Sequence, residues 1–108
     1  MTFSQWSVWL ANLDPIVGSE QGKTRPVLIL SQTSLNRLLP VVNVIPITSR
    51  KSNRRIFPNE ALLPYASCGL TVDSIALCYQ IALPQKSLDS ALPAVVRHGS
   101  ALPCANDN

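Results

Sequence analysis

The chain has 108 residues, of which 46% are apolar and 14% are charged, and this size and composition predict one domain over residues 1–108 with a buried core. Nine Lys and Arg against six Asp and Glu give a net charge of +3, too small an excess to predict a nucleic-acid partner by itself. Three cysteines without a C-x-x-C spacing argue against a disulfide framework or a zinc site. No signal-peptide pattern and no membrane-length apolar run is present, so we expect a soluble, cytoplasmic protein.

Two strands are predicted in the first third of the chain. Residues 7–13 contain β-branched and aromatic residues and end at the turn-forming Asp14-Pro15. A polar surface loop over residues 14–24 follows. Residues 25–31 form the second strand, whose continuous apolar run predicts that both of its faces are covered.

The middle of the chain predicts a short helical turn and a third strand. Ser34 is a suitable N-cap for residues 35–39, which Pro40 ends. The third strand covers residues 41–47, and Pro46 predicts an edge, a bulge or a strand end there.

The second half of the chain predicts further strands and little helix. Residues 55–58 suit a brief strand, and residues 70–81 suit a long one with alternating faces. The Pro-rich remainder allows at most a short helix between residues 92 and 98, and residues 99–108 are expected to be a disordered tail. The predicted fold class is therefore mainly β, a small barrel or curved antiparallel sheet.

Two features suit contact with a ligand. Pro26 biases Arg25 toward extended geometry, so a guanidinium stands at a strand entrance, and Thr48 stands at the exit of the third strand. A basic cluster follows, with no acid among its members: Arg50, Lys51, Arg54 and Arg55. Such a cluster either contacts a phosphate backbone or forms a solvated loop.

Other catalytic arrangements are not supported by the sequence. The single histidine, His98, lies in the Pro-rich tail without a nucleophile motif around it. The six acids show no metal-ligand spacing, and no phosphate-binding glycine motif is present, so we expect no metal and no cofactor.

Several motifs together resemble the MazF/PemK toxins of bacterial toxin–antitoxin systems. They run in order from about residue 8 to residue 81: Trp9, Leu13-Asp14-Pro15, residues 18–22 (Gly-Ser-Glu-Gln-Gly), Arg25-Pro26-Val27-Leu28, Asn36-Arg37, Pro46-Ile47-Thr48-Ser49, Asp73-Ser74 and Gln80-Ile81. The resemblance implies an SH3-like barrel of the MazF/CcdB/PemK type and a homodimer. It also implies a metal-independent endoribonuclease that cuts single-stranded RNA at a short sequence.

The resemblance also implies a site. Arg25 and Thr48 match the catalytic arginine and threonine of the MazF branch, which direct the RNA's own 2′-hydroxyl onto the adjacent phosphorus and leave a 2′,3′-cyclic phosphate and a 5′-hydroxyl. Glu20 is a candidate general base, or it holds Arg25 or contacts a base of the RNA. The residues expected to bind RNA are Ser19, Glu20, Gln21, Lys23, Ser49, Arg50, Lys51, Arg54, Arg55, Ser74 and Gln80.

The expected partners are single-stranded RNA, a second copy of the chain and a MazE-like antitoxin with an acidic C-terminal segment. DNA is expected to be contacted only through the antitoxin. The chain departs from the family pattern at Trp6-Ser7, at Leu77 and Tyr79, and at Ala82. Two alternatives therefore stay open, a gyrase poison of the CcdB type and a catalytically weak module that binds RNA or the antitoxin.

Overall fold

An antiparallel sheet of seven strands dominates the computed structural model, which describes residues 2–13 and 24–96. The strands are β1 (Ser7–Asn12), β2 (Thr24–Ile29), β3 (Val41–Ser49), β4 (Glu60–Leu63), β5 (Ser74–Leu77), β6 (Ile81–Pro84) and β7 (Leu88–Val95). The helical segments are short: α1 (Thr33–Asn36), α2 (Tyr65–Cys68) and a 3₁₀ turn at Gln85–Ser87. The prediction of a mainly β fold is confirmed.

The strand order is β4-β5-β3-β2-β1-β7, with β6 paired to β3 beside this path. β2 lies near the middle and alternates between two apolar clusters, as its continuous apolar run predicts. Leu28 and Leu30 pack into one cluster with Val8, Ile45 and Ile47. We call that side of the sheet the Leu28 face.

The other side of the sheet is the Val27 face. Val27 and Ile29 pack there with Trp9, Val42 and Val44. Since successive side chains of a strand point to opposite faces, each residue of β2 and β3 can be assigned to one face by its position.

β3 is the only strand among the described residues that pairs with three others. β2 lies on one edge, through Val27↔Pro46 and two further pairs, while β5 and β6 share the opposite edge. From the pair Ile47↔Ala76 to the pair Val44↔Ile81, β3 moves by three residues, whereas the segment from β5 to β6 opposite it moves by five. The two extra residues form a bulge near Tyr79.

Pro46 lies opposite this bulge. The Leu30 N–H donates to the Asn43 carbonyl at 2.8 Å, and the alternation of antiparallel ladders then directs the Pro46 nitrogen away from β2, toward the bulge. A residue without an N–H therefore lies where the ladder is interrupted, which confirms the predicted irregularity at Pro46.

Three predicted elements are wrong. The brief strand at 55–58 is absent, because the fourth strand begins later, at Glu60. The long strand over 70–81 is divided by the bulge into β5 and β6. In place of a helix after residue 92, β7 continues to Val95, paired with β1, and its register shifts next to Pro93.

The described helices include none long and apolar enough to cross a membrane. The predicted disordered tail, residues 99–108, and the loop residues 14–23 lie outside the described residues, as does His98.

Candidate active site

Arg25 is the second residue of β2 and is half-buried. It pairs with Ala11 of β1, a member of the Val27-face cluster. Arg25 and Val27 are two residues apart on one strand, so their side chains share that face. The extended geometry expected of the Arg-Pro step is confirmed.

Thr48 is the next-to-last residue of β3 and is also half-buried. It shares the Val27 face with Val42 and Val44, which lie an even number of residues away. The paired register of β2 and β3 ends at Val27↔Pro46, and Arg25 and Thr48 each lie two residues beyond that pair. The two residues that the resemblance marks as catalytic therefore share one face at the adjoining ends of neighbouring strands.

The row continues across the sheet. Thr48 pairs with Ile75 of β5, which is fully buried, and Ile75 pairs with Leu62 of β4. Residues directly opposite in a sheet share a face, so a cation and a hydroxyl are flanked by apolar side chains on both sides. We call Ala11, Arg25, Thr48, Ile75 and Leu62 the Arg25–Thr48 row.

The basic cluster lies in the loop that leaves β3 directly after this row. Lys51 and Arg55 are exposed and Arg50 is half-buried. The Arg50 backbone N–H donates to the Asp73 carbonyl at 2.9 Å, and its Nε donates to the Arg54 carbonyl at 3.0 Å. Backbone contacts therefore hold the start of the loop, and its cations stand next to Thr48 in the chain.

Arg54 differs from the other three basic residues. Its Nη1 and Nη2 donate to Glu60 Oε1 and Oε2 at 2.9 and 2.8 Å, a bidentate ion pair. The hydrogen bonds from Arg54, the Phe57 N–H and the attraction of the guanidinium lower the pKa of Glu60 to about 2. The basic cluster contains no acid in the sequence, but in the folded chain Glu60 pairs with one of its arginines.

Ser49 and Ser74 lie on the wrong side of the sheet for contact with Arg25 and Thr48. They pair with each other and share the Leu28 face with Ile47 and Ala76. Ser74 is buried, and its hydroxyl donates to the Val72 carbonyl at 3.0 Å. Both line a cavity of about 230 Å³ together with Pro26, Gly69, Leu70, Thr71, Val72, Leu92, Pro93 and Ala94.

Gln80 is exposed and lies at the other end of β3. It lines a second cavity together with Leu30 and Asn43. Asn43 and Thr48 are five residues apart on one strand, a separation of about 17 Å. The structure therefore does not bring Ser49, Ser74 or Gln80 to the Arg25–Thr48 row.

Four predicted RNA contacts lie outside the described residues: Ser19, Glu20, Gln21 and Lys23. Within the described residues, no group of three or more His, Cys, Asp or Glu side chains could hold a metal ion.

Sequence reasoning missed two features of this face. Glu60 shares the face of Thr48 because Glu60 and Leu62 are two residues apart and Leu62, Ile75 and Thr48 are paired in turn. Phe57 lies 47% exposed beside Glu60, in a loop where the sequence predicts a strand. The sequence signal for Phe57 is that two apolar residues, Ile56 and Phe57, lie between two arginines and a proline, where exposing them is unfavourable. Nothing in the sequence indicates which acid pairs with Arg54 and closes the loop.

A family model described as "PemK-like, MazF-like toxin of type II toxin-antitoxin system" matches residues 4–92. The "Endoribonuclease MazF" of Staphylococcus saprophyticus is 38% identical over 80 residues, which cover 74% of this chain and 66% of that protein, slightly less than two thirds of its length.

Solved structures agree with this match. The Mycobacterium tuberculosis toxin MazF-mt6 superposes with a TM-score of 0.67 at 27% identity, covering 93% of this chain and 88% of that one. A mycobacterial endoribonuclease in complex with its cognate antitoxin has a TM-score of 0.68 at 18% identity, covering 96% and 87%, a likeness of fold.

Proposed function

Because this chain belongs to the PemK-like, MazF-like toxins of type II toxin–antitoxin systems, we propose that it is an endoribonuclease that cleaves single-stranded RNA with Arg25 and Thr48. The observation that carries the proposal is the placement of these two residues on one face of adjacent strands. The activity of the staphylococcal relative, an endoribonuclease, supports it.

The proposed reaction is a transesterification within the RNA. The 2′-oxygen loses its proton and attacks the adjacent phosphorus, and the bond from phosphorus to the 5′-oxygen breaks as that oxygen gains a proton. The products are a 2′,3′-cyclic phosphate and a 5′-hydroxyl. No electrons are transferred to or from another group, so the reaction needs no redox partner.

Arg25 acts on the charge that develops at phosphorus. A guanidinium is permanently charged and presents a planar fork of donors, which suits the non-bridging oxygens of a pentacovalent intermediate. The apolar side chains of Ala11, beside Arg25, and Ile75, beside Thr48, reduce the water around the two residues and so strengthen that interaction. This charge does the work that a metal ion does in other nucleases, and we propose metal-independent cleavage.

Thr48 acts through its hydroxyl, which donates to a non-bridging oxygen or orients the 2′-hydroxyl. A threonine hydroxyl is not a proton acceptor at neutral pH, so the base that receives the 2′ proton is a different group. Glu20 remains the candidate that the sequence offers for this role.

The partners follow from charge and exposed apolar surface. The cations after Thr48 suit both the RNA backbone and an acidic antitoxin segment that covers the same surface, and DNA contact is proposed only through that antitoxin. We propose a cytoplasmic homodimer, and its interface is supported by four exposed apolar side chains between residues 35 and 41, with Leu38 exposed by 78%.

The test incubates a mixed-sequence single-stranded RNA with the protein in EDTA, and then the same RNA with one 2′-deoxynucleotide on the 5′ side of the cut that is found. We expect cleavage of the first, with a 2′,3′-cyclic phosphate at the new end, and no cleavage of the second at that position. Products with a 3′-hydroxyl and a 5′-phosphate, or cleavage of the deoxy substrate, would contradict the mechanism. Tight binding of RNA without any products would identify a binding module instead.

A further inference from the structure

The loop between β3 and β4, residues 50–59, is closed by one side-chain pair. The Glu60 carboxylate accepts hydrogen bonds from both Nη groups of Arg54. Its Oε1 also accepts one from the Phe57 backbone N–H at 3.1 Å. Arg54 Nη1 donates further to the Arg55 carbonyl at 2.7 Å. We call this arrangement the Arg54–Glu60 clasp. Its contacts fix the backbone on both sides of Ile56.

The clasp fixes Phe57 with its ring facing outward. The ring is 47% exposed, and the guanidinium carbons of Arg54 and Arg55 lie 5.5 and 5.7 Å from its centroid. Arginine over an aromatic face is a favourable cation–π contact. An exposed aromatic ring between cations is also the surface on which proteins stack the bases of single-stranded nucleic acid.

The clasp stands on the side of the sheet that carries Thr48. Glu60 shares the face of Leu62 and lies two residues from it along β4, and β4 is separated from β3 by β5 alone, so Glu60 lies about 12 Å from Thr48. A strand of RNA whose phosphate meets Arg25 and Thr48 can therefore place a neighbouring nucleotide on this loop.

We propose that Phe57 stacks on an unpaired base of the RNA next to the cleaved bond, and that Arg54 and Glu60 are positioning residues for it. Arg55 and Lys51, both exposed, neutralise the flanking phosphates. Within this proposal Arg54 is assigned to holding the loop, because both of its Nη groups donate to Glu60. The inference deepens the proposed function and rests on it.

Single-stranded RNA suits this loop better than a protein segment does. A base offers a flat π-face beside a negative phosphate, and the loop offers an aromatic ring beside the exposed cations Lys51 and Arg55. An acidic peptide would use the cations and would leave the exposed part of the ring uncovered.

The first test removes the charge of Glu60, for which electrostatics and the clasp predict opposite changes in RNA affinity. Glu60→Gln removes a negative charge from a surface that binds a polyanion, so electrostatics alone predicts tighter RNA binding. The clasp predicts weaker binding, because the loop loses the carboxylate that orients Phe57. Binding is measured by fluorescence anisotropy with a 2′-O-methyl oligonucleotide, which cannot be cut, at a temperature where circular dichroism shows the variant folded.

The second test isolates the ring. Phe57→Leu should weaken binding of the same oligonucleotide roughly 5- to 150-fold without changing the slope of affinity against salt, while Phe57→Tyr should bind like the parent. Tyr65→Leu is the matched control, since Tyr65 is an exposed aromatic residue (55%) on α2, and it should leave binding unchanged.

The third test locates the base. Abasic sites are placed at each position of the oligonucleotide in turn, and one position should weaken binding to the parent protein but not to Phe57→Leu. Three results would overturn the inference while the wild-type protein still cleaves RNA, so that the proposed function stands: Phe57→Leu binds as tightly as the parent, no abasic position has this effect, or Glu60→Gln binds more tightly. A wild-type protein that neither binds nor cuts RNA would remove the proposed function itself.

Discussion

The two faces of the sheet differ most where β2 begins and β3 ends. Arg25 and Thr48 lie on the Val27 face, whereas the next residue of each strand, Pro26 and Ser49, lines a cavity on the Leu28 face. The cavity lining is largely apolar, with Leu70, Val72 and Leu92 among its members. Residues adjacent in sequence therefore belong to different surfaces, and strand alternation decides which of them act together.

The largest effect should come from the cation on the Val27 face. Arg25→Ala should reduce the rate of RNA cleavage by roughly 10²- to 10³-fold, because it removes the donors that stabilise the developing charge. Arg25→Lys keeps the charge and loses the planar fork, so it should recover only part of the rate. Both are measured under single-turnover conditions, with circular dichroism to show that the fold is kept, and undiminished cleavage by Arg25→Ala would contradict the proposed site.

A change on the opposite face should affect stability rather than chemistry. Gly69 ends α2 with φ of +84°, and a Cβ at this position would lie 2.7 Å from the Pro93 carbonyl oxygen. Gly69→Ala should therefore lower the free energy of unfolding by about 1–3 kcal/mol, measured by urea denaturation. The control Thr71→Ala lines the same cavity without this conflict and should cost less than about 0.5 kcal/mol.

For Gly69→Ala, cleavage per folded molecule should stay that of the parent. A lower cleavage rate at full folding would show that the Leu28 face takes part in the reaction, and the division between the two faces would then be wrong.

The Arg54–Glu60 clasp, on the same face as Thr48, should make the stability of the folded protein depend on pH. The folded-state pKa of Glu60, about 2, lies below its ordinary value of 4.5, so ionised Glu60 favours the folded state. That contribution is complete above about pH 5 and is lost as pH falls through 2. The melting temperature of Glu60→Gln should therefore lie below that of the parent at pH 7, and the gap should close toward pH 2. A gap of constant size would show that Glu60 contributes through its shape alone.

Much of the sheet could be predicted because its strands carry strong local signals. The apolar run of β2 indicates a strand covered on two faces, and Pro46 indicates an irregular ladder; the structure shows both. Arg25 and Thr48 were identified by resemblance, and their placement on one face follows from the register between β2 and β3, which no single strand encodes.

The wrong predictions have causes that lie outside the mispredicted segments. Ile56 and Phe57 suit a strand by propensity, but Arg54 pairs with Glu60 six residues away and closes the segment as a loop. Pro93 argues against a strand, yet β7 is an end strand of the sheet and its register shifts around that proline. The RNA contact of Ser74 stays a prediction; its burial comes with the pairing of β5 to β3 and β4, which the sequence of β5 alone does not show.

The most direct test of this division between faces compares two neighbouring hydroxyls. Thr48→Val and Ser49→Ala each remove one hydroxyl from adjacent residues of β3, and their single-turnover rates are measured on the same RNA in EDTA. Thr48→Val should be slower by about 10- to 150-fold, since a hydrogen bond to a charged group is worth about 1.5–3 kcal/mol, and Ser49→Ala should cleave like the parent. Equal rates for the two variants, or a larger loss for Ser49→Ala, would contradict the assignment of the reaction to the face of Arg25 and Thr48.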